Sequence, residues 1–430
     1  MLNPVFIGID MGTSGCRAIA VDDRGREIAR RSVPLPPPDR RGDRVEQDPG
    51  LWWKALCEAT RAIMGDLPGP PGALAIDGTS GTLVVADARG EPLGPALMYN
   101  DARARAQAER ISRIAPRESG AHGATSSLAK LLWWLEHREA GSLCHALHQA
   151  DWLAARLTGQ WGLSDENNVL KMGYDPVSRS WPDWLAALGL PDDVLPEVKV
   201  PGDTFGRLTR EAAALSGLPA GLAVFAGTTD SVAGFLATGA TEPGEAVTSL
   251  GSTLVLKIVS PTPVFAPEYG VYSHRLGDRW LAGGASNSGG AVLLQYFSPA
   301  ELASLTPALD PYQPTGLDFY PLPASGERFP VCDPRLPPRM APRPDDDARF
   351  LQGLLEGIAA IEVAGYRRLM ELGAPAPTDI RTVGGGANNP AWRCIRERLL
   401  PAPLRDAVHT EAACGAAILA RRGFMATLTG

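Results

Sequence analysis

Residues 5–10, VFIGID, are apolar at every position until Asp10. An unbroken apolar run of this kind reads as a central strand covered on both faces, since a half-exposed strand would alternate. Two more strand-like runs in CRAIAVDDRGREIARRSV flank the turn DDRG and read as a hairpin. PLPPPD at 34–39 reads as a loop. In DPGLWWKALCEATRAIM (48–64) apolar residues recur at helical spacing behind a capping Asp48 and a first-turn Pro49. ALAIDGTSGTLVVADARGEPL (73–93) reads as strand, glycine-rich turn, strand, and residues 126–140 and 143–157 read as helices, with Gly159 just past the second.

A second cycle begins near 223. AVFAGTTDS is an apolar run ending in a polar turn, and EAVTSLGSTLVLKIVS (245–260) repeats the order of strand, small-residue turn, strand. RFLQGLLEGIAAIEVAGYRRLMELG (349–373) predicts a long helix stopped by Gly373, and TDIRTVGGGANNPAWRCIRERL (378–399) predicts strand, glycine-rich turn, helix. The repetition predicts two related α/β lobes, 1–222 and 223–430, joined near 219–224. The Pro-rich stretch 321–345 predicts a long loop.

The chain has 430 residues, enough for two to four domains, with 21% charged and 44% hydrophobic residues. No apolar run approaches the roughly 18 residues of a membrane span. MLNPVFIGID has neither a basic start nor a cleavage site, so no targeting peptide is expected. Six scattered cysteines without a C-x-x-C pair predict neither zinc nor a disulfide framework, and suit a reducing, cytoplasmic setting. A net charge of −7 without a basic block argues against nucleic acid as partner.

The chemistry concentrates in the turns. A carboxylate at the end of a buried strand is costly unless something pairs with it. Behind Asp10, Gly12-Thr13-Ser14-Gly15 offers amides and hydroxyls that suit phosphate oxygens, and a phosphate-bound Mg²⁺ would account for the acid. A hairpin turn with a locally bonded Asp accounts for the same residues. Gly251-Ser252-Thr253 is the corresponding turn of the second cycle, so the pair could grip a polyphosphate. Gly384-Gly385-Gly386-Ala387-Asn388 opens a helix and lets backbone approach a flat ligand. Asp230, in GTTDS, suits a proton acceptor or a helix N-cap. A hydrolase elbow at Ser80 is rejected, because Thr82 replaces the last glycine and a strand follows. Asn100, Asp101, Asp165 and Asn168 are polar turn positions. His145 and His148 have no third ligand nearby. Lys130, Lys171 and Lys257 stand out in a Lys-poor chain; Lys171 follows the SDENN turn and could touch substrate, with a surface lysine the preferred reading.

Taken in order, IGIDMGTSGCRAIAVD, IDGTSGT, YNDAR, QADWLAARLTG, SDENN, AGTTDSVAGFLATGATEPGEAVTSLGST, VGGGANNPAW and TEAACGAAILA resemble the FGGY carbohydrate kinases from end to end. Within that family, IDGTSGT and NNVLKMGYD look most like the short pentulose kinases of cyanobacteria and plants. The resemblance implies an actin-like ATPase fold of two ribonuclease H-like lobes around a central cleft. It implies that the first lobe binds sugar and the second ATP. Carried over residue by residue, Asp10, Thr13, Ser14 and Arg17 form a first phosphate loop, with Asp10 near Mg²⁺. Gly251, Ser252 and Thr253 form the second, and Gly384, Gly385, Gly386, Ala387 and Asn388 border the adenosine. Asp230 is the implied catalytic base, and Ser80, Gly81 and Asp101 match the sugar side. Many relatives carry a Gln-His or Met-His pair where Thr79-Ser80 stands. The expected reaction is ATP-dependent phosphorylation of a pentulose, D-ribulose first and D-xylulose second, by a monomer or homodimer. The rival is a sugar- and ATP-binding protein with weak ATPase activity.

Overall fold

The computed structural model describes residues 4–137, 143–191 and 193–429. It forms two compact units, 1–237 with 411–430, and 238–410.

The first unit is built on a six-stranded mixed sheet: β1 (Val5–Met11), β2 (Gly15–Val21), β3 (Glu27–Pro34), β4 (Pro71–Gly78), β5 (Thr204–Arg207) and β6 (Ala223–Thr229), in the order β5-β6-β4-β1-β2-β3. β1 pairs antiparallel with β2 and parallel with β4, and β4 pairs parallel with β6. The continuous apolar run of β1 is explained by cover on both sides. Helix α1 (Pro49–Met64) packs on β1, β2 and β3, and the C-terminal helix Ala412–Thr429 lies along β1, β4 and β6. Every β1 residue is buried. The C-terminal helix can approach β1 because Gly8 has no side chain: a Cβ there would fall 1.9 Å from the Ala413 carbonyl oxygen. Gly415 in turn admits the helix Asp230–Ala237, a Cβ there falling 1.8 Å from the Ala233 carbonyl oxygen. Asp48 caps α1 as expected, its carboxylate accepting from the Gly50 amide at 2.8 Å.

Because β6 pairs with β4, residues 223–237 belong to the first unit, and the chain passes into the second unit after 237 and returns after 410. The expected division at 222/223, with its joint near 219–224, is corrected accordingly. Strand pairing, a long-range property, decides it.

A smaller antiparallel sheet in the first unit joins Asp39–Arg41, Arg44–Gln47, Ala96–Leu97, Leu83–Ala86 and His145–His148. Two expectations change here. The predicted loop 34–39 is shorter at both ends, since Pro34 closes β3 and Asp39 opens the edge strand Asp39–Arg41. Residues 145–148, predicted as the start of a helix, extend Leu83–Ala86 as a strand, and helix α2 (Gln149–Thr158) begins only after them. The reason is tertiary: the His148 ring is fully buried between the Asp151 carboxylate and the Ser127 hydroxyl, both at 3.1 Å, which ends the strand and starts the helix. The predicted helix 126–140 is seen as Ser127–His137, with 138–140 outside the described residues.

The second unit repeats the plan. Its sheet contains β7 (Glu245–Leu250), β8 (Leu254–Ser260), β9 (Tyr272–Leu276), β10 (Arg279–Ala285), β11 (Asp379–Val383) and β12 (Leu404–Arg405), ordered β9-β10-β8-β7-β11-β12. β7 stands where β1 stands: an antiparallel hairpin partner on one side, a parallel strand on the other. Helix α3 (Asp347–Glu371) covers β8 and β10, and α4 (Pro390–Leu399) packs on α3. A buried ionic knot ties the layers together. Arg396 on α4 makes two 2.7 Å bonds to Glu362 on α3, and Glu362 accepts from Thr248 of β7 at 2.5 Å. No helix among the described residues is long and apolar enough to cross a membrane.

Candidate active site

Three aspartates gather at the C-terminal ends of the parallel strands β1, β4 and β6. Asp10 lies opposite Asp77 in the parallel pair, and Asp77 lies opposite Thr228, two residues before Asp230. Asp10 is 6% exposed; its carboxylate accepts from Arg17 at 3.0 Å, across the β1–β2 pair. Burial raises the Asp10 pKa, against the pull of the Arg17 guanidinium. Asp77 is fully buried, and neither of its oxygens meets a donor. Burial, followed by the neighbouring charges of Asp10 and Asp230, pushes its pKa well up.

Asp230 opens the helix Asp230–Ala237 and is only half-buried. The capping position belongs to Thr229, whose hydroxyl accepts from the Val232 amide at 3.4 Å. The Asp230 carboxylate accepts from its neighbour Ser231 at 2.6 Å and stays accessible to solvent. Of the two sequence readings of Asp230, the N-cap is therefore not the one the helix uses.

The turn after β1 closes by a 3.0 Å bond from the Gly12 amide to the Gly15 carbonyl, and the Ser14 carbonyl accepts from Leu35 at 2.9 Å. The amides and hydroxyls of Thr13 and Ser14 form no hydrogen bond among the described residues, so four donors remain for a ligand. Arg17 is engaged with Asp10.

The turn after β4 is held by side chains. Gln149 accepts from the Thr79 amide at 3.0 Å and hydroxyl at 2.9 Å; Lys130 donates to the Gly81 carbonyl at 2.8 Å and the Met98 carbonyl at 2.7 Å. Gly81 is thus buried as a backbone anchor, while Ser80 remains partly exposed. Asp101 is the correction on this side. Expected to face sugar, it is fully buried and saturated by the Val45 amide at 2.6 Å and by Arg103, whose shortest bond is 2.6 Å. A carboxylate so engaged holds the turn 98–103 to the strand Arg44–Gln47 and has no capacity for a substrate hydroxyl.

In the second unit, the turns after β7 and β11 line one cavity of about 610 Å³, within the range of small-molecule sites. Gly251, Ser252, Gly385, Gly386 and Asn388 are among its lining residues. Thr253, Gly384 and Ala387 stand outside the lining and shape the turns. Gly384 has φ 85° and ψ 172°, a conformation essentially reserved to glycine, and a Cβ there would lie 2.8 Å from the Leu250 carbonyl oxygen. The apolar wall was not legible beforehand: Leu293, Leu294, Leu302, Leu351, Pro390 and Trp392 come from four separate segments. Their helical spacing was the only signal, and it does not tell a cavity wall from a core. The Trp392 indole N–H is buried without a hydrogen-bond partner among the described residues.

Chemically, the first unit offers free turn donors, a buried acid pair and an accessible carboxylate. The second offers a cavity with an apolar wall and two small-residue turns in its lining. Asp77 was missed as part of the acid group, because only strand register places it beside Asp10.

Comparison with known proteins bears on both units. Residues 5–237 match the model of the FGGY family of carbohydrate kinases, N-terminal domain, and residues 246–424 match its C-terminal domain. A xylulose kinase of Streptomyces coelicolor is 31% identical over 421 residues, covering 94% of this chain and 84% of that one. A xylulose kinase of Escherichia coli is 29% identical over 414 residues, covering 90% and 83%. The crystal structure of a xylulose kinase from Rhodospirillum rubrum superposes with a TM-score of 0.84 at 25% identity, covering 99% of this chain and 90% of that chain. The two-domain arrangement of a mixed sheet in each unit is the actin-like ATPase fold of these sugar kinases.

Proposed function

Because this chain belongs to the FGGY family of carbohydrate kinases, we propose that it transfers the γ-phosphoryl group of ATP to a pentulose, D-xylulose ahead of D-ribulose. The observation that carries the mechanism is the Asp230 carboxylate, accessible at the end of β6 and not spent on capping its helix. Asp230 takes the proton of the acceptor hydroxyl as that oxygen bonds to the γ-phosphorus and the bond from phosphorus to the ADP oxygen breaks. In each unit a small-residue turn supplies donors suited to phosphate oxygens, Thr13 and Ser14 in the first and Gly251 and Ser252 in the second. The 610 Å³ cavity takes the adenosine, with Gly385 leaving open space at the lining, Gly384 and Gly386 letting the turn pack on Leu250 behind it, and Asn388 in the lining. Thr253 and Ala387 complete these turns.

The donor set fits a divalent cation: Asp10 is a buried carboxylate, and the Asp77 oxygens beside it lack any donor. Asp10 would hold Mg²⁺, and Arg17 would orient Asp10. When bound, Mg²⁺ neutralises charge on the transferring phosphoryl group. On the sugar side, Ser80 offers a hydroxyl and Gly81 holds the turn.

D-Xylulose is placed first because the Escherichia coli and Streptomyces coelicolor relatives, which align over 90% and 94% of this chain, are xylulose kinases. D-Ribulose follows through the segments IDGTSGT and NNVLKMGYD, which resemble the short pentulose kinases. The test is a coupled assay of ADP release with D-xylulose, D-ribulose, other ketoses and polyols, with Mg²⁺ and with EDTA. Turnover highest on D-xylulose is expected. Turnover confined to a non-pentulose, or ATP hydrolysis indifferent to every sugar, overturns the assignment.

A further inference from the structure

The turn Thr79–Thr82 is anchored by two lysines, and only one is used up. Lys130 is fully buried and divides its amine between two carbonyls, Gly81 and Met98. Lys171 differs. It follows the buried Asp165–Asn168 segment on the 3-10 turn Val169–Met172 and is half-buried. Its stem packs against Gly81, and its ammonium reaches the Ser80 carbonyl at a long 3.3 Å. It forms no other hydrogen bond and no ion pair among the described residues. An ammonium carries three donors, so two are left over.

A surface lysine with nothing to do swings into water, where its charge is best solvated. This one is instead folded back over the turn, within electrostatic reach of a second amine. Burial first, and then the Lys171 charge, brings the Lys130 pKa down to about 7. Two basic groups at one turn with no carboxylate bonded to either leave an unfilled demand for an oxygen acceptor. Beside them the Ser80 hydroxyl is partly exposed and likewise forms no bond among the described residues. The turn leaves β4 two residues beyond Asp77, the strand end shared with Asp10 and next to that of Asp230. The spare donors therefore border the acid group.

We propose that Lys171 is a specificity-determining residue of the sugar site, its ammonium donating, together with the Ser80 hydroxyl, to an acceptor oxygen other than the one phosphorylated. The proposal rests on the sugar-kinase reading above. It selects polyhydroxy substrates that place a hydroxyl or carbonyl oxygen over the turn, and it assigns a function to a residue whose type and position alone read as surface.

Lys171→Met keeps the stem and removes the donors; Lys171→Arg keeps a cation. On the pentulose that the wild-type protein phosphorylates best, Lys171→Met is expected to raise KM about 10- to 100-fold, the loss of a charge-assisted hydrogen bond, with kcat changed less than about threefold. Lys171→Arg should recover part of the loss, and ADP affinity by calorimetry should stay within about twofold in both. Singly deoxygenated pentuloses separate contact from support. One analogue should cost the wild type what Lys171→Met costs, and the variant should be indifferent to that deoxygenation. A KM within about twofold of wild type, or an equal further penalty for every analogue in the variant, overturns the proposal. If the wild type phosphorylates no pentulose, the function reading fails separately. Calorimetric binding of D-gluconate and glycerol to wild type and Lys171→Met then decides this one: weaker binding to the variant supports it, and equal binding or none to the wild type overturns it.

Discussion

Asp77 stands directly across the parallel β1–β4 pair from Asp10, fully buried, with no donor to either oxygen. Two carboxyls at one strand end cannot both ionise cheaply, and burial selects Asp77 as the one that keeps its proton. Its native pKa lies above that of the unfolded chain. The native state therefore holds a proton that the unfolded state gives up as pH rises past about 4, and this group subtracts stability above that pH.

Asp77→Asn should for that reason stabilise the protein at pH 7–8 and do little near pH 4. The amide nitrogen takes over the donation to Asp10 that the Asp77 proton makes. A gain on the order of 1 kcal/mol is expected, within the range for an unsatisfied buried group. Calorimetric melting of both proteins across pH 4–8 checks it; a variant less stable than wild type at pH 8 contradicts the reading.

Asp230→Asn and Asp10→Asn should fail differently. The first keeps shape but cannot accept a proton, so kcat should drop about 10²–10⁴-fold while calorimetric ADP affinity is retained. The second should raise the Mg²⁺ concentration needed for half-maximal activity. Turnover over a Mg²⁺ titration distinguishes the two patterns, and near wild-type kcat for Asp230→Asn removes the proposed base.

Gly384→Ala should weaken ADP binding at least about tenfold while leaving sugar binding to the first unit unchanged. The substitution forces a conformation costing roughly 1–3 kcal/mol and drives a methyl toward the Leu250 carbonyl, so the turn must withdraw from the cavity. Titration of each ligand alone reads this, and equal loss of both would count against it.

Glu362→Gln should destabilise the second unit by about 3–5 kcal/mol, because Arg396, itself 1% exposed, is left as an uncompensated buried cation. Denaturant unfolding, followed in fragments or by site-specific fluorescence, should show the second unit melting before the first. Unfolding coincident with wild type would mean that the pair is stabilised by less than its burial implies.

Lys130 provides a test of opposite sign to Asp77. Its pKa, brought down to about 7 chiefly by burial, lies below the unfolded value near 10.5. Between those limits the unfolded state binds the extra proton, so wild-type stability relative to Lys130→Met should rise from pH 7 toward pH 10. A gap that is flat or narrows over that range would show that the amine stays charged in the fold.

The sequence by itself determined the local units. The apolar run before Asp10, the Asp48-Pro49 start of α1, and the strand–turn–helix from Thr378 to Leu399 all appear where pattern and capping chemistry put them, because their causes lie within a few residues. The small-residue turns after β1 and β7, and the glycine turn before α4, were legible for the same reason. Tertiary structure decided what depends on partners far along the chain. It drew 223–237 into the first unit through pairing with β4, and made a strand of 145–148 through pairing with Leu83–Ala86. It turned Asp101 from a candidate ligand into a saturated anchor by placing Arg103 and the Val45 amide around it. It brought Asp77 to Asp10 and folded Lys171 over Ser80. Burial and register set the charge state and availability of a polar group, and neither is a property of the residues next to it in sequence.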